Sequence, residues 1–170
     1  MSDTAVWIRT EPVPGGDYIA ILEVDGFGGT ILDRTTALRY AYGLLQAAAT
    51  AEYEALVVAQ MLEKEVGTTD VAEFIAALRQ HRPASVSLPP LTFVPGVSQS
   101  TREGFLRVDI DGQQAGQWSL EEARDNALGL LEAHAVAILD SAYYRTLTEV
   151  VGVKPDVARA AITDLARLRT

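Results

Sequence analysis

The 170-residue chain contains no cysteine and only two histidines. Without thiols it can form neither disulfides nor thiolate metal sites, which excludes the cross-links on which many small secreted folds depend. The N-terminal residues Met1–Thr4 are not followed by the apolar run of a secretory signal. Nor does any segment have the roughly 20 consecutive apolar residues that a membrane-spanning helix requires. We therefore expect a cytoplasmic protein with no membrane partner.

Basic residues are scarce. The chain has 14 Lys and Arg against 23 Asp and Glu, which gives a formal net charge of -9. Residues 1–82 carry six basic and twelve acidic side chains, and residues 83–170 carry eight and eleven. Because proteins bind nucleic-acid phosphates chiefly through Lys and Arg, this balance disfavours nucleic acid as a partner. Nucleic-acid binding stays a third hypothesis, carried by the basic residues near the C-terminus, Lys154, Arg159, Arg167 and Arg169.

Recognisable catalytic motifs are also missing. The sequence has no phosphate-binding G-x-x-x-x-G-K-[ST], no nucleophile elbow G-x-S-x-G and no zinc-binding H-E-x-x-H. With no thiol, and no hydroxyl beside an evident base, no nucleophile can be assigned. We expect no catalytic residue, no cofactor and no bound metal, and we favour a non-enzymatic function.

What the chain does have is an internal repeat. At a shift of 86 residues, three short segments fall on similar ones: Asp25-Gly26 on Asp111-Gly112, Gly43–Leu45 on Gly129–Leu131, and Asp70–Ala72 on Asp156–Ala158. Such self-similarity is the signature of duplicated structural units. We predict a first repeat over 1–82, a proline-rich connector over 83–90 and a second repeat over 91–170.

Each repeat begins with strand patterns. Apolar side chains alternate along 19–25 and again along 105–111, which places Leu22 and Val108 on the buried sides of equivalent strands. Asp-Gly pairs then provide the positive φ angles of a tight turn. The 86-residue shift also places Trp7 on Phe93, so both repeats are expected to open with a further strand.

Two helices complete each repeat. Asp33 and Ser119 are suited to cap long helices over about 34–65 and 120–150, and Glu122 completes a capping box with Ser119. Alanine dominates the seam of the first long helix, which allows close approach of its counterpart or of a second chain. Shorter helices follow Thr68 and Pro155. The predicted fold is α+β, a tandem duplicated β-β-β-α-α unit with antiparallel sheets packed on long helices and a pseudo-two-fold axis.

Two polar residues interrupt the second long helix. His134 and Ser141 fall on the positions of Ala48 and Ala55 in the first repeat. They are satisfied core groups in one interpretation. In the other, they mark a pocket between the repeats that binds a small molecule or carries catalysis, with His134 able to sense pH.

Tyrosines surround the long helices at more angles than one buried stripe requires, at Tyr42, Tyr53, Tyr143 and Tyr144. Because tyrosine often anchors protein partners, this excess indicates an interface. The favoured function is therefore a protein-protein interaction or regulatory role, with a protein partner or a homodimer. A phage-encoded modulator of a host protein would fall in this class.

The segment 108–133, from Val108–Gly112 through Trp118–Arg124 to Leu130–Ala133, resembles a hairpin-plus-helix module of small proteins from actinobacteria and their phages. The first repeat departs from this pattern at Asp33–Thr36. The resemblance implies a strand, turn and capped helix, and no activity. The β-β-β-α order is also similar, in topology alone, to HicB-type antitoxins and double-stranded-RNA-binding-like domains.

Overall fold

The computed structural model describes residues 6–24, 28–81, 86–88 and 90–168. Within these ranges the strands are β1 Val6–Pro12, β2 Tyr18–Val24, β3 Gly28–Leu32, β4 Val86–Leu88, β5 Leu91–Val97, β6 Gly104–Ile110 and β7 Gln113–Ser119. The α-helices are α1 Arg34–Glu63, α2 Thr68–His81, α3 Leu120–Arg145 and α4 Pro155–Arg167. The predicted α+β class is confirmed, and no helix in the described ranges is both long enough and apolar enough to cross a membrane.

The strands form two antiparallel sheets in the orders β1-β2-β3 and β4-β5-β6-β7. The predicted alternation is confirmed, since Leu22 and Val108 are buried on the inner faces of β2 and β6. Asp111 and Gly112 have φ angles of 49° and 78°, the left-handed conformations that the tight turn between β6 and β7 needs. The other predicted turn, Asp25-Gly26, lies outside the described residues.

Strand β5 of the second sheet is one residue out of the predicted alignment with β1. Val24 pairs with Val6 in the first sheet, whereas Ile110 pairs with Leu91 in the second, so β1 and β5 match at a shift of 85. The predicted equivalence of Trp7 and Phe93 is therefore wrong. The loop 98–103 is one residue longer than the loop 13–17. Because side chains alternate along a strand, this one-residue difference means that Trp7 and Phe93 face opposite sides: Trp7 is exposed, and Phe93 is buried.

The predicted connector contains a strand. Residues Val86–Leu88 form β4, which pairs with β5 and adds a fourth strand to the second sheet. The Tyr40 hydroxyl of α1 donates a 2.7 Å hydrogen bond to the Leu88 carbonyl, which fixes this edge against the helix. Residues 83–85 and Pro89 of the connector lie outside the described residues.

Both predicted caps are present at the starts of the long helices. The Ser119 hydroxyl accepts a 3.1 Å bond from the Glu122 amide, and the Glu122 carboxylate accepts a 2.6 Å bond from the Ser119 amide. The Asp33 carboxylate accepts 2.9 Å bonds from both the amide and the hydroxyl of Thr36. These contacts satisfy backbone N–H groups that have no partner inside a helix.

The Asp33 cap predicts a pH dependence of stability. The hydrogen bond from the Thr36 amide, followed by that from its hydroxyl, holds the pKa of Asp33 below its ordinary value of 3.8. Because the folded-state pKa is lowered, the stabilisation is complete above the unfolded value and is lost as the pH falls through the folded value. We expect Asp33→Ala to lower the free energy of unfolding at neutral pH, with a smaller difference from wild type at a pH well below 3.8. Urea titrations at both pH values measure this, and a difference independent of pH would contradict it.

The predicted second long helix ends in a different geometry. Residues Thr146–Val150 form a π-helical turn after α3. The Thr146 hydroxyl donates to the Ala142 carbonyl at 2.9 Å, and the Thr148 hydroxyl donates to the Tyr144 carbonyl at 2.8 Å. Side-chain bonds of this kind compete with the regular backbone ladder and distort it.

Each long helix packs mainly on the sheet that it does not follow in the chain. α1 packs chiefly on β5 and β6 of the second sheet, α3 packs chiefly on β2 and β1 of the first, and the two helices contact each other. The main core therefore combines inner-face residues of both sheets with alanine-rich faces of both helices. Each sheet is covered mainly by the helix that follows the other sheet in the chain.

Candidate functional site

Six large side chains on the long helices are each more than half exposed. They define what we call the helix face: Tyr42, Tyr53 and Leu56 on α1, with Leu128, Leu139 and Tyr143 on α3. Tyr42 and Leu128 are 86 residues apart in the sequence, and so are Tyr53 and Leu139. The same side of each long helix therefore carries large apolar groups that no described residue buries.

An ion pair links the two parts of the helix face. The Arg124 guanidinium of α3 lies 2.6 Å from the Glu52 carboxylate of α1. Leu56 and Leu128 each follow one member of this pair by four residues, and side chains four apart lie on one side of a helix. Each of these exposed leucines therefore lies on the same side of its helix as the ion pair.

The other predicted site residues of α3 lie elsewhere. Tyr144 is 8% exposed and packs in a small core between α3, α4 and the start of β2. The Ser141 hydroxyl accepts a 2.9 Å bond from the Tyr18 amide and donates a 2.7 Å bond to the Ala137 carbonyl. Ser141 thus anchors β2 to α3. His134 is half-buried two turns earlier.

This small core holds buried polar groups. The Tyr18 hydroxyl is buried and makes no hydrogen bond to a described residue. Burial, and secondarily the negative charge of Asp140, raise the pKa of Tyr18 above its usual 10.0. The Arg159 guanidinium of α4 lies 5.7 Å from the centre of the Tyr144 ring, within range of a cation–π contact. This contact joins α4 to α3.

Gly16 lies in the loop between β1 and β2 and packs against the Tyr144 ring of this small core. Its φ is 87°, and a Cβ built there would overlap the Tyr144 ring. We expect Gly16→Ala to lower the free energy of unfolding by about 2–3 kcal/mol, through backbone strain and overpacking together. Gly15→Ala is the matched control because Gly15 has a φ of 100° and nothing within 4 Å of its Cβ position. Chemical denaturation measures both, and equal losses would contradict a specific clash with Tyr144.

A second buried polar contact joins the halves of the molecule. The Glu54 side chain of α1 is fully buried, and the Arg79 guanidinium of α2 lies 2.6 Å from its carboxylate. The same guanidinium donates a 3.0 Å bond to the Pro95 carbonyl of β5. Arg79 therefore ties α2, α1 and the second sheet together.

An open groove of about 910 Å³ adjoins Arg79. We call it the α2 groove. Its walls are the last turns of α1, one side of α2 and the β5–β6 hairpin, so it lies between the two halves of the chain. Neither His134 nor Ser141 lines it. The structure thus places a groove between the halves at a different position from those two residues.

Sequence reasoning did not find the buried acids or the groove. One signal was available for the acids, since Glu54 and Asp140 are also 86 residues apart and each interrupts an apolar helix stretch. Both prove to be almost completely buried. The groove had no comparable signal, because its residues come from four separate elements.

No group of three or more potential metal-ligating side chains comes together within the described ranges. Comparison of the chain with protein-family models finds no match, and comparisons with curated proteins and with solved structures find none either.

Proposed function

We propose that this chain is a non-enzymatic interaction protein that binds a second copy of itself, or another protein, through the helix face. The observation that carries the proposal is the exposure of large apolar side chains at matching positions of α1 and α3, among them Tyr53 and Leu139. Contiguous exposed apolar surface on a folded protein often marks an interaction site. Tyrosine and leucine provide the contact area of such a surface.

The composition of the helix face supports this role. Two tyrosine rings on α1 and one on α3 are exposed. Because they are exposed, these rings contribute little to packing of the core. Tyrosine is enriched at interface centres because it buries much area at a small cost in conformational entropy. The Glu52–Arg124 pair supplies polar groups beside the apolar ones, an arrangement that protein interfaces share.

The proposal includes a tandem duplication with pseudo-two-fold symmetry. In its support, both sheets are followed by a capped long helix and then a short one. Glu54 and Asp140 are buried at equivalent positions, and α1 and α3 exchange sheets in the same way. A surface built from two similar parts suits an isologous contact, in which one patch meets its own copy.

The absence of cysteine supports a cytoplasmic location. The acidic charge supports a protein partner over a nucleic acid. Small-molecule binding remains the alternative function, and the α2 groove is the feature that favours it.

Light scattering coupled to size-exclusion chromatography tests the helix face. If the partner is a second copy, we expect a dimer whose dissociation constant rises at least about tenfold in Tyr53→Glu and in Leu139→Glu. Val150→Glu is the control because Val150 is 80% exposed but lies outside the helix face. For a different protein, affinity purification from the native host should recover a partner that both helix-face variants lose and the control retains. A monomer with no variant-sensitive partner would overturn the proposal.

A further inference from the structure

The α2 groove combines an apolar floor with positive charge at its rim. The apolar part includes Val58 and Leu62 of α1, Val71 and Ile75 of α2, and Phe105 of β6. Its volume of about 910 Å³ falls within the roughly 300–1,000 Å³ of small-molecule sites. The space is therefore sufficient for a small molecule with a substantial apolar body.

The charged side chains that line the groove are all arginines: Arg79, Arg102 and Arg107. Among the described lining residues none is acidic, although acidic residues outnumber basic ones by 23 to 14 in the chain. Arg79 pairs with Glu54, and Arg107 pairs with Asp109. Arg102 forms no ion pair with any residue that the structure describes, so its charge is available at the rim.

The corresponding place in the other half is filled by an aromatic ring. Tyr144 packs on Gly16 there, and a shift of 86 residues places Val58 at the position of Tyr144 and Arg102 at the position of Gly16. Arg102 even keeps the unusual backbone of its counterpart, with a φ of 62° against 87°. The groove is open because Val58 is smaller than Tyr144, its counterpart in the other half. Arg102 lies at the opening of the groove.

We propose that the α2 groove binds an amphipathic small molecule that carries one carboxylate. Its apolar chain or ring lies against Val58, Ile75 and Phe105, and its carboxylate pairs with the Arg102 guanidinium. Arginine matches a carboxylate with two parallel hydrogen bonds, which makes it a selective partner for that group. A cationic amphiphile would find arginines and no lining carboxylate. A fully polar solute would leave the apolar floor uncovered. This site is separate from the helix face.

Decanoate is a suitable probe, with decanol and decyltrimethylammonium as neutral and cationic comparisons. Binding is measured by amide chemical shifts in NMR titrations, well below the concentration at which each probe forms micelles. We expect decanoate to shift amides of α2 and of the β5–β6 hairpin, to bind at least about fivefold more tightly than decanol, and to outcompete the cation. Failure of decanoate to bind, equal affinity of all three probes, or shifts confined to the helix face would overturn the proposal.

Two variants locate the site. Ala72 and Ala76 are both exposed on α2, but only Ala72 lines the groove. Ala72→Phe should weaken decanoate binding at least about tenfold, while Ala76→Phe should leave it unchanged. Arg102→Gln should reduce decanoate affinity to that of decanol without altering decanol binding. Thermal melts of each variant check folding. Decanoate binding that survives both Ala72→Phe and Arg102→Gln would contradict the assignment.

Discussion

Phe93→Ala is expected to lower the free energy of unfolding by about 3–5 kcal/mol, the usual cost of emptying a fully buried aromatic site. The Phe93 side chain is inaccessible to solvent. Its ring centre lies 6.4 Å from that of Tyr40 on α1 and 6.0 Å from that of Trp118 on β7. For a chain of this length the melting temperature should fall by about 6–20 °C.

The location of Phe93 makes this variant a test of whether α1 and α3 cover each other's sheets. Because α1 covers the second sheet and α3 covers the first, loss of packing under α1 should weaken both sheets at once. Hydrogen exchange measures this: amides of β1–β3 should lose protection together with those of β5–β7. Ile31→Ala is the control, since Ile31 is 68% exposed and should change stability by no more than about 0.5 kcal/mol. Retained protection of the first sheet in Phe93→Ala would contradict a shared core.

Arg79→Met is expected to lower the free energy of unfolding by about 3 kcal/mol, because it removes the Arg79 guanidinium from the buried Glu54 carboxylate. Two nitrogens of Arg79 donate to this carboxylate at 2.6–3.3 Å. Urea denaturation measures the loss. In the double variant Glu54→Met with Arg79→Met, much of the stability should return because neither charge then has to be desolvated.

The ion pair between Glu52 and Arg124 is the matched surface control. It has the same 2.6 Å separation as Glu54–Arg79, but its side chains are 50% and 43% exposed. Exposed pairs contribute about 0–1 kcal/mol, so Arg124→Met should have a much smaller effect than Arg79→Met. If the two arginine variants lost equal stability, burial would not be the source of the effect.

Much of the local structure could be predicted from short stretches of sequence. The alternation around Leu22 and Val108, the Asp111-Gly112 turn and the Ser119 capping box each depend on residues that are near neighbours in the chain. Helix periodicity and caps likewise placed both long helices to within a few residues, apart from the π-helical turn. In the candidate site, sequence identified three tyrosines that lie on the exposed helix face.

Contacts between distant segments could not be predicted in the same way. An alanine-rich helix side indicates that a surface is buried, yet it does not say which sheet lies against it. The same limit applies to Tyr144, whose burial depends on Gly16, and to Glu54, whose partner Arg79 comes from the next helix. The failed match of Trp7 with Phe93 arose from one extra residue in the loop 98–103, which shifts β5 relative to β1.

By itself, then, the sequence determined the α+β class, the described strands other than β4, the capped helices and the acidic character of this protein, because those properties arise from neighbouring residues or from composition. Only the tertiary structure decided that α1 and α3 cover each other's sheets, that the helix face stays exposed and that a groove opens beside Arg79. These features depend on which apolar surfaces meet, and burial is favourable for any well-packed pairing. Only the packing of all the elements together selects one of the possible pairings of apolar surfaces.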